Sequence, residues 1–385
     1  MEKTILEYIW TDINNNFRSK VKVENYIYPI LESLEIWNFD GSSTGQASGH
    51  NSEILLKPYL ILKDFDNINA NYYYVFCECL NPDKTPHITN TRAKVVEFFN
   101  DKNVKELDPL FGIEQEFFVF NKGKPLVWND ERTLPQGDYY CGNGGKSINK
   151  SSRKFLDNVI RILNSWSINV TGYNFEVAPG QMEIQICEKG ILASDYLIVS
   201  RFILTRCAEE LGWDIVLTPK PSFLNSDNWN GSGCHVNFST KEMRTKDNNH
   251  SNPLFNLYKT AELIYNMKQN HNLDIDNFGS ENNKLRLGGI NETSSYDKFT
   301  YGIANRGSSI RIPRSFVNNL YGYIEDRRPG ADMDPYIVTK IICSYAIKKS
   351  YNSGSDSDSD LDIVFKEIEK ISFDILKEHF QNYKM

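Results

Sequence analysis

Two glutamates, Glu114 and Glu116, stand two positions apart inside the apolar run LFGIEQEFFVF. A strand puts positions i and i+2 on one face, so these carboxylates project side by side. Unpaired, they would repel until one held a proton, so the arrangement makes chemical sense chiefly with cations beside them. An isolated ExE is more commonly a solvent-facing strand, but the apolar residues on both sides weaken that reading here. Glu176 and Glu183 repeat the pattern, with the turn Ala178-Pro179-Gly180 able to bring them together. His235 in NGSGCHVNFS and Glu325 in YGYIEDRRP also sit in apolar surroundings, although a lone histidine of this kind is more often a satisfied core residue. Five glutamates and one histidine make a hard, oxygen-rich ligand set that suits Mg²⁺ or Mn²⁺ better than structural zinc.

The stretch ANRGSSIRIPR brings Arg306, Arg311 and Arg314, and EDRRP adds Arg327 and Arg328. Alternation with Ile in SIRIPR predicts that these arginines share a strand face. Guanidinium forks match carboxylates and phosphates and stabilise charge during phosphoryl transfer. A surface ladder of salt bridges is the bland alternative, and the acidic residues nearby favour the functional one. No GxxxxGK[ST] loop and no GxGxxG after a strand occurs, so metals and arginines would have to hold any nucleotide. No nucleophile elbow or Cys/His/Asn grouping suggests a covalent intermediate on the protein.

These groups need strands and turns to bring them together. The 385 residues exceed the usual size of a single core, and 40% apolar with 24% charged residues is the balance of a soluble globular protein. A formal net charge of -7 without a long basic block argues against nucleic-acid binding. The start MEKTILEYIW lacks the layout of a signal peptide and no stretch approaches a membrane span, so the expectation is cytoplasmic, with no membrane partner. Seven scattered cysteines, with only Cys77 and Cys79 close together, read as reduced and mostly buried.

Residues 1 to about 80 read as short strands, ILEYIW, FRSKVKV, EIWNFD, EILLKP and YYYVFCECL, interrupted by the polar GSSTGQASGHNSE, expected as a functional loop. Helices join from about residue 84: TNTRAKVVEFFNDK capped by Thr, SSRKFLDNVIRILNSW and DYLIVSRFILTRCAEELG. Strand LFGIEQEFFVF and the hairpin VTGYNFEVAPGQMEIQICE lie among them. Helices mixed with mostly antiparallel strands make the class α+β, with domains expected at 1–83 and 84–385. The Ser/Asp-rich run at about 352–360 is expected to be a solvated loop before a final helix.

Six segments, WNFDGSSTGQ, FGIEQE, NFEVAPGQMEIQI, NWNGSGCHVNFST, NETSSYDKFTYGIANRGSSIRIPR and GYIEDRRP, resemble in order the signature segments of eukaryotic-type glutamine synthetases. The resemblance runs from about residue 7 to about residue 345, and six long motifs in order are far more specific than any short pattern. It implies a small N-terminal β-grasp domain, then a catalytic domain with a mainly antiparallel curved sheet flanked by helices. The implied activity is ATP-dependent ligation of ammonia to L-glutamate through a γ-glutamyl phosphate, with two or more Mg²⁺ or Mn²⁺ per site. One ion would be held by Glu116, Glu176 and Glu183, the other by Glu114, His235 and Glu325. Glutamate would lie against Asn228, Trp229, Gly231, Arg286, Arg306 and Arg327. ATP would meet Glu114, Glu183, Asn237, Ser239, Arg306, Arg311, Tyr323 and Glu325. Asp40 would bind ammonium and accept its proton, Glu292 would close over the intermediate, and Arg306 would assist the chemistry. Asp40 would do so in the active site of a neighbouring subunit, within a homodecamer of two pentameric rings.

The chain departs from the family pattern in a shorter start, which bears on ring contacts, and at Met182, Leu285 and Asn291, which replace an aromatic residue, an arginine and a histidine. Substrate affinity or flap motion would be affected. Two alternatives compete: a non-catalytic assembly protein of the same fold, and a ligase that attaches glutamate to a larger amine. Retention of all six expected metal ligands weighs against the first, and retention of Asp40 against the second.

Overall fold

The computed structural model describes residues 3–25, 28–64, 71–128, 139–144, 150–222, 229–246, 255–290 and 293–347, with 363, 364, 366 and 370. The chain divides into two compact units, residues 1–97 with 161–168, and residues 98–160 with 169–385.

In the first unit, β1 (Lys3–Thr11), β2 (Phe17–Asn25), β3 (Trp37–Asp40), β4 (Glu53–Lys63) and β5 (Asn71–Leu80) form a sheet in the order β2-β1-β5-β4-β3. β1 and β5 run parallel and the other neighbours antiparallel. Strand alternation sends Leu6, Tyr8 and Trp10 to the face that also receives Tyr73, Val75, Cys77 and Cys79, where they meet Phe39, Ile54 and Leu56. Burying each large apolar side chain there contributes about 2 kcal/mol. The two thiols are therefore core: burial pushes both up, Cys79 to about 12. On the opposite face, the Trp166 ring meets Tyr74 edge-on and its Nε1 donates to the Lys63 carbonyl.

The polar stretch after β3 is more ordered than its composition suggests. Gly41–Thr44 makes one 3₁₀ turn capped by Asp40. A Cβ on Gly41 would come within 2.5 Å of Ile54 Cγ1, so the turn needs glycine to pack against β4. Buried Gln46 donates to the Thr11 carbonyl and Thr89 Oγ1, and its own carbonyl lies 2.8 Å from His87 Nε2.

Helix α1 (Ala93–Asn100) starts later than TNTRAK suggests, and its cap is Asn90, whose Oδ1 accepts from the Ala93 amide at 3.0 Å, rather than a threonine. The short α2 (Lys102–Leu107), absent from the sequence reading, is capped by Asp101.

The second unit holds β6 (Leu110–Asn121), β7 (Lys124–Pro125), β8 (Val170–Phe175), β9 (Gln181–Lys189), β10 (Asp214–Val216), β11 (Cys234–Ser239), β12 (Tyr301–Ile303), β13 (Ile310–Ile312) and β14 (Ile324–Asp326). They follow the order β12-β13-β14-β11-β6-β9-β8, with β7 and β10 also pairing with β6. Among the described residues only β12 and β13 pair in parallel here. The helices are α3 (Lys150–Ser165), whose residues from 161 on belong to the first unit, α4 (Ile191–Glu210), α5 (Lys241–Arg244), α6 (Phe255–Asp274), α7 (Asn282–Arg286), α8 (Arg314–Asn319) and α9 (Pro335–Ile347). α4 packs on β9, β6 and α9, and α6 packs on α9. The α+β class and the mainly antiparallel sheet flanked by helices are as expected. No described helix is long and apolar enough to cross a membrane. The run at 352–360 lies outside the described residues.

Candidate active site

β6 supplies the centre. Its odd-numbered Ile113, Gln115 and Phe117 are fully buried, and Glu114 and Glu116 take the other face. Buried Arg201 fixes the strand from behind: its Nε donates to Gln115 Oε1 at 2.7 Å, and its other nitrogens donate to the carbonyls of Met333 and Ala331 at 3.0 Å. Pairing places Glu183 of β9 opposite Glu116 and His235 of β11 opposite Glu114. Glu325 of β14 stands opposite Asn237, the next position but one on β11. Glu176 is returned to the group by a tight turn, where its amide bonds the Gln181 carbonyl. Gly180 in that turn has φ +70°, and a Cβ there would lie 2.7 Å from the Leu126 nitrogen.

Two donor sets result, Glu114 with His235 and Glu325, and Glu116 with Glu176 and Glu183. Within each, one ligand atom per residue lies within 4.8 Å of the others. His235 Nδ1 is 3.7 Å from Glu114 and 3.8 Å from both Glu116 and Glu325, too far for hydrogen bonds. Gly233 makes room for that ring, since a Cβ there would lie 2.4 Å from His235 Nε2.

The electrostatics are those of a site short of positive charge at its centre. Burial and then the neighbouring carboxylates push Glu116 and Glu176 up, and Glu183 up to about 8. Burial, then the surrounding arginines, hold His235 well below its usual range, so it stays neutral and able to donate a lone pair. Buried, mutually repelling oxygen donors with a neutral imidazole fit hard divalent cations, and the donor set is too oxygen-rich for structural zinc.

Arginines close the other side of a cavity of about 180 Å³. Glu325 accepts from Arg311 at 2.6 Å and from Arg327 at 2.5 Å. Arg286 is buried, and its guanidinium donates to Asn283 and to the carbonyls of Arg327, Arg328 and Pro329; burial brings its pKa down to about 10. Gly231 lies so close that a Cβ would be 2.5 Å from Arg286 Cγ. Arg306 lines the cavity, and its carbonyl accepts from Arg327 Nε at 3.0 Å.

Trp229, Asn237, Ser239 and Tyr323, also expected at the site, are not part of the cavity lining. Trp229 is buried against Trp128, and its carbonyl accepts from Lys220. Asn237 gives its amide to Glu114 and to the Gly112 carbonyl, buried Ser239 accepts from Arg244, and half-exposed Tyr323 is not part of the lining. Asp40 belongs to the first unit, exposed, with its carboxylate held down to about 2 by hydrogen bonds from the Ser42 and Ser43 hydroxyls and the Ser42 amide. Asn228 and Glu292 lie outside the described residues, as does Asn291.

Two arginine readings need correction. Arg314 does not share a strand face with Arg311: β13 ends at Ile312, and after Pro313 the chain turns into α8, leaving Arg314 exposed. Arg328 faces away from the cavity, fully buried between Phe278 and Phe299 and paired with Asp326 at 2.7 Å, because alternate positions of a strand point to opposite sides. Met182 is likewise a core residue, 1% exposed, on the face of β9 opposite Glu183, whereas Leu285 is 64% exposed.

The cavity also contains Tyr140, Asn174, Gln185, Asn230 and Thr293, which the sequence reading passed over. A signal existed for two of them: Asn174 and Gln185 each stand two positions from a glutamate already singled out.

Residues 90–348 match the protein family described as glutamine synthetase, catalytic domain. The chain is 40% identical to a glutamine synthetase of Candida glabrata over 349 residues, 89% of this chain and 88% of that protein. It is also 40% identical to one of Rhizobium meliloti over 344 residues, 87% of this chain and 98% of that protein. The solved Plasmodium falciparum glutamine synthetase superposes with a TM-score of 0.69 at 19% identity, covering 89% of this chain and 71% of that one, a likeness of fold.

Proposed function

Because the chain belongs to the glutamine synthetase family and is a glutamate–ammonia ligase by that membership, we propose that the cavity around β6 is where it couples ATP cleavage to amide formation. The observation that carries this is the pair of donor sets meeting on one strand, with Arg286, Arg306, Arg311 and Arg327 facing them.

In this reading Glu116, Glu176 and Glu183 hold one Mg²⁺ or Mn²⁺, and Glu114, His235 and Glu325 hold another. Bound there, the ions would neutralise phosphate oxygens and polarise the reacting groups. Arg286, Arg306 and Arg327, with Gly231, Asn228 and Trp229, bind glutamate; Arg306 and Arg311, with Asn237, Ser239, Tyr323 and the acidic pair Glu114 and Glu183, bind ATP. The glutamate side-chain carboxylate attacks the γ-phosphorus, ADP leaves, and Arg306 and Arg311 hold the charge spread over the transferring group. Ammonia then attacks the acyl carbon and phosphate leaves.

Asp40 supplies the carboxylate that binds ammonium and accepts its proton, which frees the nitrogen lone pair before it attacks the acyl carbon. Glu292 covers the acyl phosphate against water. The division at 1–83 and 84–385, the cytoplasmic location, and a homodecamer in which Asp40 serves a neighbouring subunit belong to the same proposal.

The test is phosphate release from ATP by the purified protein with Mg²⁺ and glutamate, comparing ammonium, methylamine, putrescine and no amine. Strong stimulation by ammonium is expected. Preference for a larger amine would move the same mechanism to another acceptor, and no release from folded, assembled protein would overturn the reading.

A further inference from the structure

Each of four site glutamates receives one carboxamide. Asn237 Nδ2 donates to Glu114 Oε1 at 2.8 Å, Gln181 Nε2 to Glu116 Oε2 at 3.1 Å, Asn174 Nδ2 to Glu176 Oε1 at 2.8 Å, and Gln185 Nε2 to Glu183 Oε1 at 2.6 Å. An ionised carboxylate, the form a bound cation would hold, only accepts, so the atom facing it is then the amide nitrogen. One oxygen of each carboxylate is thereby occupied. For Glu114 the remaining Oε2 is the one 3.7 Å from His235 Nδ1, and for Glu116 the remaining Oε1 is 3.8 Å from it.

The sheet makes space for this arrangement. Gln185 stands opposite Gly172 and Asn237 opposite Gly112. A Cβ on Gly172 would lie 3.1 Å from Gln185 Oε1, and one on Gly112 would lie 3.3 Å from Asn237 Cβ. Charge explains the choice of group: a lysine or arginine in the same places would also donate, but it would cancel the negative charge that attracts a cation. Glu325 is the exception, being held by Arg311 and Arg327.

We propose that Asn174, Gln181, Gln185 and Asn237 are positioning residues that set cation affinity by aiming one oxygen of each carboxylate inward without neutralising it. This deepens the reading of the two donor sets as divalent-cation sites and rests on it. It also gives Asn237 a task in addition to the nucleotide contact proposed above.

The experiment is Mn²⁺ titration of the metal-free full-length protein, without ATP or glutamate, followed by electron paramagnetic resonance and calorimetry. Gln185→Met keeps the shape and removes the donor; Gln185→Lys keeps a donor and adds a positive charge; Glu183→Gln removes a ligand. Loss of an outer hydrogen bond to a ligand weakens metal binding by about 10- to 100-fold. The expected result is that weakening for Gln185→Met, a larger one for Gln185→Lys, and loss of one bound ion for Glu183→Gln, with thermal unfolding in chelator within a few degrees of the unsubstituted protein for Gln185→Met. Should Gln185→Met fail to fold, Asn174→Leu makes the same test at Glu176. Mn²⁺ affinity unchanged in the Met or Leu variant, while Glu183→Gln loses an ion, overturns the inference and leaves the cation-site reading standing. Equal Mn²⁺ stoichiometry in Glu183→Gln and the unsubstituted protein overturns both.

Discussion

Replacing Glu183 by glutamine should stabilise the metal-free protein in alkali while removing its response to metal. The glutamate lies 4% exposed among like charges, and its pKa stands at about 8 against 4.5 for the free side chain. The folded state therefore holds a proton that the unfolded chain has released. The stability this contributes is fully present below about pH 4.5 and is lost as pH rises through about 8. At 1.36 kcal/mol per pKa unit the shift corresponds to an upper bound of about 5 kcal/mol, and roughly 2 kcal/mol is the working expectation once local relaxation and water entry are allowed. Glutamine carries no charge at any pH, and its Oε1 can still accept from Gln185. Glu183→Gln should thus unfold a few degrees higher than the unsubstituted protein at pH 9 in chelator, at about 2 °C per kcal/mol, with the two nearly equal at pH 5. Adding Mg²⁺ or Mn²⁺ at pH 9 should reverse the order, because only the intact carboxylate gains a cation. Differential scanning calorimetry at both pH values, with and without metal, reads all of this. A variant less stable than the original at pH 9 in chelator, or one that metal stabilises equally, would refute the reasoning.

Gly233→Ala drives a methyl group to within 2.4 Å of His235 Nε2; ligase activity should fall at least about tenfold through displacement of the ring, since misplacement of about 1 Å is worth that much or more, and Mn²⁺ titration should lose the ion assigned to His235. Asp326→Asn leaves Arg328 charged and buried, both partners being 1% exposed in the native pair; unfolding in urea should show a loss of about 3–5 kcal/mol. Asp40→Asn removes an exposed carboxylate and should leave the melting temperature nearly unchanged, while steady-state kinetics show a higher KM for ammonium and an unchanged KM for glutamate. Equal changes in both KM values would count against its assignment to ammonium.

The five glutamates were legible in the sequence because they break a local rule, while their division into two donor sets came from the family resemblance. Acidic residues inside apolar strands are costly unless something pairs with them, and the two-residue strand period says which ones share a face. Glu114 and Glu116 needed nothing more, and Glu176 and Glu183 needed only a hairpin. The same period also separates Arg327, which turns inward with Glu325, from Arg328, which turns outward with Asp326; counting arginines hid what alternation would have revealed. Arg314 escaped because Pro313 ends the strand and a helix follows. The clamp of Arg201 on Gln115 had no local signal, since its partners lie 86 to 132 residues away along the chain.

The inward residues of strand β14, Glu325 with the adjoining Arg327, offer both an oxygen donor and a guanidinium to one cavity, while Asp326 and Arg328 behind them form a buried pair whose guanidinium lies over Phe278 and Phe299. A strand tip of three residues has too few ladder bonds to hold charged side chains still. The rear ion pair is expected to stiffen it, and its cost is offset because Arg328 donates to Asp326 through Nε and Nη2 and its guanidinium lies over two rings. Loss of that pair should therefore reach the cavity as well as the core, lowering kcat more than unfolding measurements alone would imply. Asp326→Asn assayed well below its melting temperature separates the two: full activity in the folded fraction would show that the front of the strand holds its geometry without the pair behind it.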